Sequence, residues 1–540
     1  MTMNMYRDVV GSSSTSQGEQ LDPRQARNLA GGYSYTVDDF GQLARFLILG
    51  TSGGTYYIGE RALTKENLQV VERLLAAGHG RAIVDKIVEI SQAGRAVSND
   101  PALFALARCG SWKDDEEVCA YALSMLPQVA RTGTHLLHFV SFTRQFRHGG
   151  SRLKKAVTHW YDSKDVGELA YQVVKYQQRD GWSHRDVFRV VHPEKSGADE
   201  TRNILYHWIV KGWESVGEEP HPIESLQLVW AYERAKQASN EDELIELILR
   251  YRLPREAVPT EALNSVRVWE ALLQTMPLEA MMRNLGVMTR IELLKPLSKA
   301  TETVARRLRD EQATGKARLH PIKILAGLST YESGKGLRGR NTWEPMREIV
   351  DALNDAFYLA FTNVEPSGKR LLLALDTSGS MRGTRVNGIA GLACHTVSGA
   401  MSLVTAAAEL TYHIIGVDTR VQPLTISPSQ RLDDVVRILN ATGGGGTNLA
   451  LPMEYALEKG IDVDSFVIYT DSETWAGKQH PVEALQKYRD RTGIAAKVIN
   501  VQMAATRTMN NDATDPLSLE MVGFDTTGPQ IISEFISGAW

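Results

Sequence analysis

Asp376, Ser378 and Ser380 alternate along DTSGSM, directly behind the apolar run LLLAL (371 to 375). An extended loop turns alternate side chains to one side, so a carboxylate and two hydroxyls face the same way. Two more oxygens lie far off in the chain at matching positions. Thr447 follows the four glycines of ATGGGGTNLA at an expected helix start, and Asp471 ends the run FVIYT as Asp376 ends the first. Two carboxylates and three hydroxyls, with no Cys or His among them, make a hard-oxygen set suited to Mg2+, with Mn2+ as the alternative. Asp, Ser and Gly are also ordinary turn residues after a strand; it is the combination of three separated pieces that points to a metal. Catalysis would further need a base beside a bound water. Glu473 is the candidate, but a carboxylate opening a turn or helix in DSETWAG accounts for it better. The set reads as holding a cation rather than cutting a bond, and no residue is assigned as catalytic.

These oxygens need strand ends to position them. LLLAL, LTYHIIGV (410 to 417), FVIYT (466 to 470) and AKVINVQM (496 to 503) are short continuous apolar runs, as in strands buried on both faces, and helical segments such as RLDDVVRILN and PVEALQKYRD alternate with them. That alternation predicts a doubly wound α/β sheet, whose ligands bind beyond the carboxyl ends of the strands. All three pieces of the oxygen set fall on that edge.

Before residue 366 the period is helical. In NLQVVERLLAAGHGRAIVDKIVEI, Leu68, Val71, Leu74 and Leu75 mark one helix, Gly78 and Gly80 stop it, and Ile83, Ile87 and Ile90 mark the next. Asp100 is expected to cap a further helix, with Pro101 in its first turn. Similar pairs run to about residue 360 and predict stacked HEAT-like helical repeats with a concave binding side. The expected organisation is a disordered tail over 1–30, a helical repeat region over 31–365 and the α/β domain over 366–540.

The 540 residues carry a formal net charge of -4, with 43% hydrophobic and 23% charged residues, an ordinary globular balance. No apolar run is long enough to span a bilayer, and the N-terminus lacks the charge and apolar block of a secretory signal. Three cysteines in no CxxC pair build no disulfide framework and no zinc site, which predicts a reducing, cytoplasmic setting. The acid excess lies entirely after residue 365. Within the balanced remainder, Arg131 to Lys195 is locally basic and holds six of the thirteen histidines. In VVKYQQRDGWSHRDVFRVVHP, Lys175 and Arg179 stand four apart and would share a helix face, addressing neighbouring phosphates, and His192 follows in the next connection. His184 and Arg185 belong to the same stretch. A solvated helix face, with arginines paired to Asp180 or Asp186 and Tyr176, Trp182 and Phe188 in the core, would look similar.

D-x-S-x-S, a threonine behind a glycine run and a later strand-end aspartate resemble the metal-ion-dependent adhesion site of von Willebrand factor A domains. FLILGTSGGTYYIGE, KYQQRDGWSH, RNLGVMT (283 to 289), LHPIKIL and GLRGR precede it in order. Over nearly the whole chain from about residue 30, this set resembles the TROVE-domain RNA-binding proteins, the family of the Ro autoantigen and its bacterial orthologues. The resemblance implies a closed ring of helical repeats joined to the von Willebrand domain, with single-stranded ends of misfolded or defective non-coding RNA entering the ring. Y RNA would lie on the outer basic surface, limiting access or tethering an exoribonuclease. It assigns Lys175, Arg179 and His192 to Y RNA, and Arg131, Thr134, His135, Arg283, Asn284, His320 and Arg338 to the cavity; Thr134 could instead cap the helix LLHFVSF. It leaves one metal position for an acidic group of a protein partner. Two departures stand out: Val287 where lysine is common in relatives, and Asn448 where aspartate is frequent. Three functions remain in contention: an RNA-binding ribonucleoprotein component, a metal-dependent protein scaffold without RNA, and a metal-dependent nuclease.

Overall fold

The computed structural model of the protein describes residues 14–28, 31–36, 38–49, 68–93, 96, 98–146, 150–193, 199–213, 219–317, 319–336, 341–386, 391–471, 474–504, 508–512, 514–524 and 528–538. Residues 1–13, most of FLILGTSGGTYYIGE, Arg338 with most of GLRGR, and Glu473 lie outside them. The expected disordered tail is corrected over its described part. Strand β1 (Gln25–Arg27) pairs antiparallel with β2 (Tyr33–Thr36), and Gln17 ahead of them is fully buried.

Helices then run from Asp39–Leu49 to the short turn Ala360–Asn363, packed mainly on sequence neighbours. The apolar spacing becomes the buried stripe: Val71, Leu74 and Leu75 on Gln69–Ala76, and Ile83, Ile87 and Ile90 on Gly80–Gln92. Gly78 ends the first of these with φ +81, but Gly80 opens the second, because a side chain there would run into Val118. Asp100 is not a cap: it is the first residue of Asp100–Gly110, and its Oδ1 lies 2.5 Å from His138 Nδ1 on Gly133–Gln145. The array begins and ends on the C-terminal domain. Arg45 Nη2 donates to Gln502 Oε1 at 3.2 Å, and the Tyr358 hydroxyl accepts from Leu432 N at 2.7 Å.

Helix Val166–Lys175 stops at Tyr176, and a two-residue hairpin follows, β3 (Gln178–Arg179) and β4 (Trp182–Ser183), turned by Asp180 at φ 51 and Gly181 at φ 76. Ser183 and Asp186 form a capping box that starts the helix His184–Val191. His184 fixes the hairpin to the array. Buried at 4% exposure, its Nδ1 is 2.7 Å from the Tyr161 hydroxyl and its Nε2 is 3.0 Å from the Tyr176 carbonyl oxygen.

The C-terminal half is a six-stranded sheet built from β5 (Leu371–Asp376), β6 (Tyr412–Val417), β7 (Val421–Pro423), β8 (Ser465–Thr470), β9 (Lys497–Gln502) and β11 (Ser518–Val522), in the order β11-β9-β8-β5-β6-β7. All neighbours are parallel except the edge pair β6 and β7. Alternate residues of β5 explain the unbroken apolar runs. Leu371, Leu373 and Leu375 join the core shared with the helical array, while Leu372 and Ala374 join a second core with Phe466, Met453 and Tyr488. Between β9 and β11, β10 (Thr508–Met509) leaves this sheet and pairs with β2, so β1 and β2 are structurally part of the C-terminal domain.

Two residues provide tests of this fold. In RNLGVMT, Gly286 faces the Trp343 ring so closely that a Cβ would sit 2.6 Å from Cε3, while Trp343 Nε1 donates to the Tyr331 carbonyl at 2.8 Å. Gly286→Ala should therefore destabilise by about 1–3 kcal/mol, read as a lower denaturant midpoint. Burial pushes His184 down to about 4. The unfolded chain binds its proton near pH 6.5 and the folded chain does not, so this contribution is complete above pH 6.5 and is lost as pH falls toward 4. The denaturant midpoint should drop less between pH 7 and pH 5 in His184→Gln than in the wild type; equal drops would contradict the assignment.

Candidate metal centre and nucleic-acid interface

The register of β5 against β8 sets Asp376 and Asp471 at neighbouring strand ends. Both are buried, at 0% and 5% exposure. Asp376 Oδ1 accepts from Ser378 N at 2.8 Å, its Oδ2 accepts from the Thr470 hydroxyl at 2.7 Å, and the Ser378 and Ser380 hydroxyls are 3.1 Å apart. Burial first and the Asp471 charge second push the Asp376 carboxyl up, and burial pushes Asp471 the same way. Two neighbouring carboxyls held above their ordinary range by burial are an arrangement a cation relieves.

The glycine run lets the third piece approach. Gly443 has φ +73 and faces Thr377, and Gly446 has no room for a Cβ beneath the Trp475 indole. Thr447 is consequently buried at 3% exposure, and its carbonyl accepts from Trp475 N at 3.0 Å and Ala476 N at 3.1 Å. Thr447 does not open a helix as expected; the helix starts at Leu451.

The donor set fits a small hard cation. Asp471 Oδ1 is buried without a hydrogen-bond partner among the described residues, and Ser380 is exposed at the mouth. No group of three Cys, His, Asp or Glu side chains that could hold a metal occurs among the described residues, so the centre stands on two carboxylates plus hydroxyls. Its surroundings were not evident beforehand. Trp475, 47% exposed, flanks the glycine run; Arg382 reaches toward Gly444; and His395 lies buried behind the site, its Nδ1 2.9 Å from Asn440 Oδ1. A lone Trp in DSETWAG and a His in GLACHTV carry no motif that could have marked them.

On the basic side, Lys175 and Arg179 do not share a helix face. Lys175 is the last residue of its helix, half-buried, with Nζ donating to the Tyr171 hydroxyl at 2.9 Å and lying 5.1 Å from that ring's centroid; Arg179 is exposed on β3. Exposed Arg185, Arg189 and His192, the last at φ 50, continue the surface from the next helix. His184 does not belong to that surface, being locked between Tyr161 and Tyr176. Arg189 reaches Asp186 at 4.0 Å, the pairing anticipated for one arginine; Asp180 instead lies 3.7 Å from His138.

The residues assigned to the cavity separate into two groups. Arg131 is exposed, with Nη1 donating to the Ser91 carbonyl, and Thr134 and His135 stand half-buried in the first turn of Gly133–Gln145. Thr132, not Thr134, caps that helix, accepting from His135 N at 3.3 Å. Burial, then the Arg131 charge, pushes His135 down to about 4, which leaves it a neutral hydrogen-bonding ring. In the second group, exposed Arg283 pairs with Glu279, which also takes Lys323 at 2.9 Å, and Asn284 accepts from Arg255 at 2.9 Å. His320, half-buried, caps Pro321–Glu332 through Nδ1 at 3.1 Å from Ile322 N. Lys323 was missed; it follows LHP and had no basic neighbour to mark it.

Comparison with known proteins places this architecture. A TROVE domain model matches residues 26–329, and a Ro60 vWA domain model matches residues 370–536. The chain is 38% identical over 523 residues to "RNA-binding protein RO60" of Deinococcus radiodurans, covering 97% of each. It is 33% identical over 592 residues to "RNA-binding protein RO60" of Caenorhabditis elegans, covering 97% of this chain and 91% of that one. The crystal structure of the Deinococcus radiodurans RO (RSR) protein superposes with TM-score 0.75 at 36% identity, covering 93% of this chain and all of that one. The departure at Asn448 keeps all five oxygen residues, and that at Val287 adds an apolar contact to the core. The chain belongs to the TROVE-domain family, with a Ro60-type von Willebrand factor A domain as its C-terminal part.

Proposed function

We propose that this protein is the RNA-binding component of a ribonucleoprotein that holds Y RNA on the outer basic surface and single-stranded ends of misfolded or defective non-coding RNA in the ring, serving RNA quality control. One observation carries the reading. Among the described residues, no carboxylate lies within ion-pair distance of the Lys175, Arg179 or Arg185 cations, and an exposed aromatic ring, Tyr171, stands beside the first. Cations free of a direct ion pair are what phosphate contacts require, although Glu256 acts on Lys175 and Arg185 on Asp186 at longer range, and phosphates supply most of the affinity without reading sequence. Arg131, Thr134, His135, Arg283 and Asn284 are the candidates for unstacked single-stranded RNA, where a neutral His135 offers a base-edge hydrogen bond. Half-buried His320 is a further candidate, whereas buried His184 drops out as a direct contact. An exoribonuclease would be tethered through the bound Y RNA.

The metal centre favours a complementary role. Asp376, Ser378, Ser380, Thr447 and Asp471 would hold Mg2+, or Mn2+, and that cation would supply an open position for the carboxylate of an acidic protein partner. The protein acts by holding, not as an enzyme. Three free buried cysteines support a cytoplasmic setting. Among the described residues, no helix is long and apolar enough to cross a membrane.

The test is a binding isotherm on a structured small RNA at several salt concentrations. The Lys175→Ala, Arg179→Ala double variant should bind about 10-fold or more weakly, and the slope of log K against log salt should fall by about 1 to 2. An unchanged affinity and slope, with an unchanged melting curve, would refute the RNA surface. Magnesium-dependent RNA cleavage lost in Asp376→Ala would instead make the protein a nuclease.

A further inference from the structure

Residues 15–20 lie outside both matched family domains, yet they are built into the rim of the metal centre. Gln17 is 0% exposed, although glutamine is rarely so buried. Its backbone is held on both sides: Gln17 N donates to the Gly477 carbonyl at 3.0 Å, and its own carbonyl accepts from Tyr33 N at 2.8 Å. Its amide is fully used. Oε1 accepts from the Thr474 hydroxyl, while Nε2 donates to Asn448 Oδ1 at 2.8 Å and to the Gln479 carbonyl at 3.1 Å. There is no slack, since a Cβ at Gly477 would strike Gln17 Nε2 and would sit 2.7 Å from Asn448 Oδ1. Flanking bonds set the segment in place. Thr15 N donates to Glu483 Oε2 at 3.2 Å, and His480 Nε2 lies 2.9 Å from the Glu19 carbonyl oxygen.

The three partners of that amide are placed with respect to the cation-binding oxygens. Asn448 follows Thr447 directly, and Thr474 stands three residues after Asp471. Thr474 also approaches the Thr447 carbonyl at 3.3 Å. Gln17 therefore ties the stretch carrying one oxygen, behind the glycine run, to the loop that follows another at the end of β8, and adds to the direct bonds from Trp475 N and Ala476 N to the Thr447 carbonyl. Without its amide the Gln479 carbonyl would lose its buried partner, while Asn448 Oδ1 would keep only Ala450 N at 3.1 Å and the Thr474 hydroxyl the Thr447 carbonyl at 3.3 Å, so the loop would shift or admit water. We infer that Gln17 is a positioning residue of the metal centre, and that docking of residues 15–20 and binding of a divalent cation are linked equilibria. This rests on the proposed reading of Asp376, Ser378, Ser380, Thr447 and Asp471 as cation ligands. Linkage is reciprocal, so the cation must hold the segment down as strongly as the segment favours the cation.

Mn2+ binding to the full chain, followed by the EPR signal of the free ion, tests this against two controls. The wild type should bind one ion, Asp376→Ala should bind none, and Gln17→Ala should bind about 10-fold more weakly, the loss typical of removing an outer-shell partner. Melting of each variant in EDTA and in Mn2+ separates positioning from general loosening: whatever stability Gln17→Ala loses in EDTA, it should gain less from added Mn2+ than the wild type does. Amide exchange of residues 14–20 in the wild type should slow when Mn2+ is added. Equal affinity in Gln17→Ala and wild type, with Asp376→Ala dead, overturns the inference and leaves the metal centre standing. No Mn2+ binding by the wild type removes both. Should Gln17→Ala fail to fold, the exchange measurement decides alone, and protection that does not respond to Mn2+ overturns the linkage.

Discussion

Two carboxylates taken out of water at the ends of neighbouring parallel strands set the terms for the whole C-terminal half. Neither Asp376 nor Asp471 can stay charged there without compensation, and the surrounding chain reads as the means of supplying it. Thr470 and the Ser378 amide satisfy Asp376, the glycine run brings Thr447 in without steric cost, and two hydroxyls complete the oxygen lining. The sheet makes this affordable: β5 and β8 are buried on both faces, so the strand ends that present the acids are rigid. The helical array contributes as well, since the core on one face of β5 is continuous with that of the repeats.

What could be read from the chain alone follows how local each signal was. The four central strands, the helical stripes and the place of Asp376 and Asp471 at neighbouring strand ends are legible, because periodicity and strand-end motifs are encoded within a few residues. Lys175 and Arg179 were placed on one helix by spacing, yet Asp180-Gly181 is a hairpin signal sitting inside that same stretch and should have ended the helix sooner. His184 was counted with its basic neighbours because adjacency in sequence says nothing about which side chain points inward; its two tyrosine partners lie eight and twenty-three residues away. Asp100 was taken for a cap since Asp before Pro is a common cap pattern, whereas the structure spends that carboxylate on His138.

The largest misreading was of residues 14–28, whose Ser, Gly and Gln content is that of a tail. Composition failed because these residues carry no hydrophobic signal; their order comes from hydrogen bonds to loops more than four hundred residues away. A polar segment can be fully specified when its partner is a preformed set of backbone and amide groups, and nothing local reveals that the partner exists.

That long reach has a consequence for how the protein comes into being. Strands β1 and β2 leave the ribosome more than four hundred residues before their strand partner at 508–509 and the loop that receives Gln17. The early segment must wait unpaired while the helical array is synthesised, and joining such distant pieces carries a loop-closure entropy that a folded array reduces. The rim of the oxygen site is thus completed only after the array between its two parts exists. A molecule whose repeats have not folded would present an incomplete rim, so the state of one half is written into the geometry of the other.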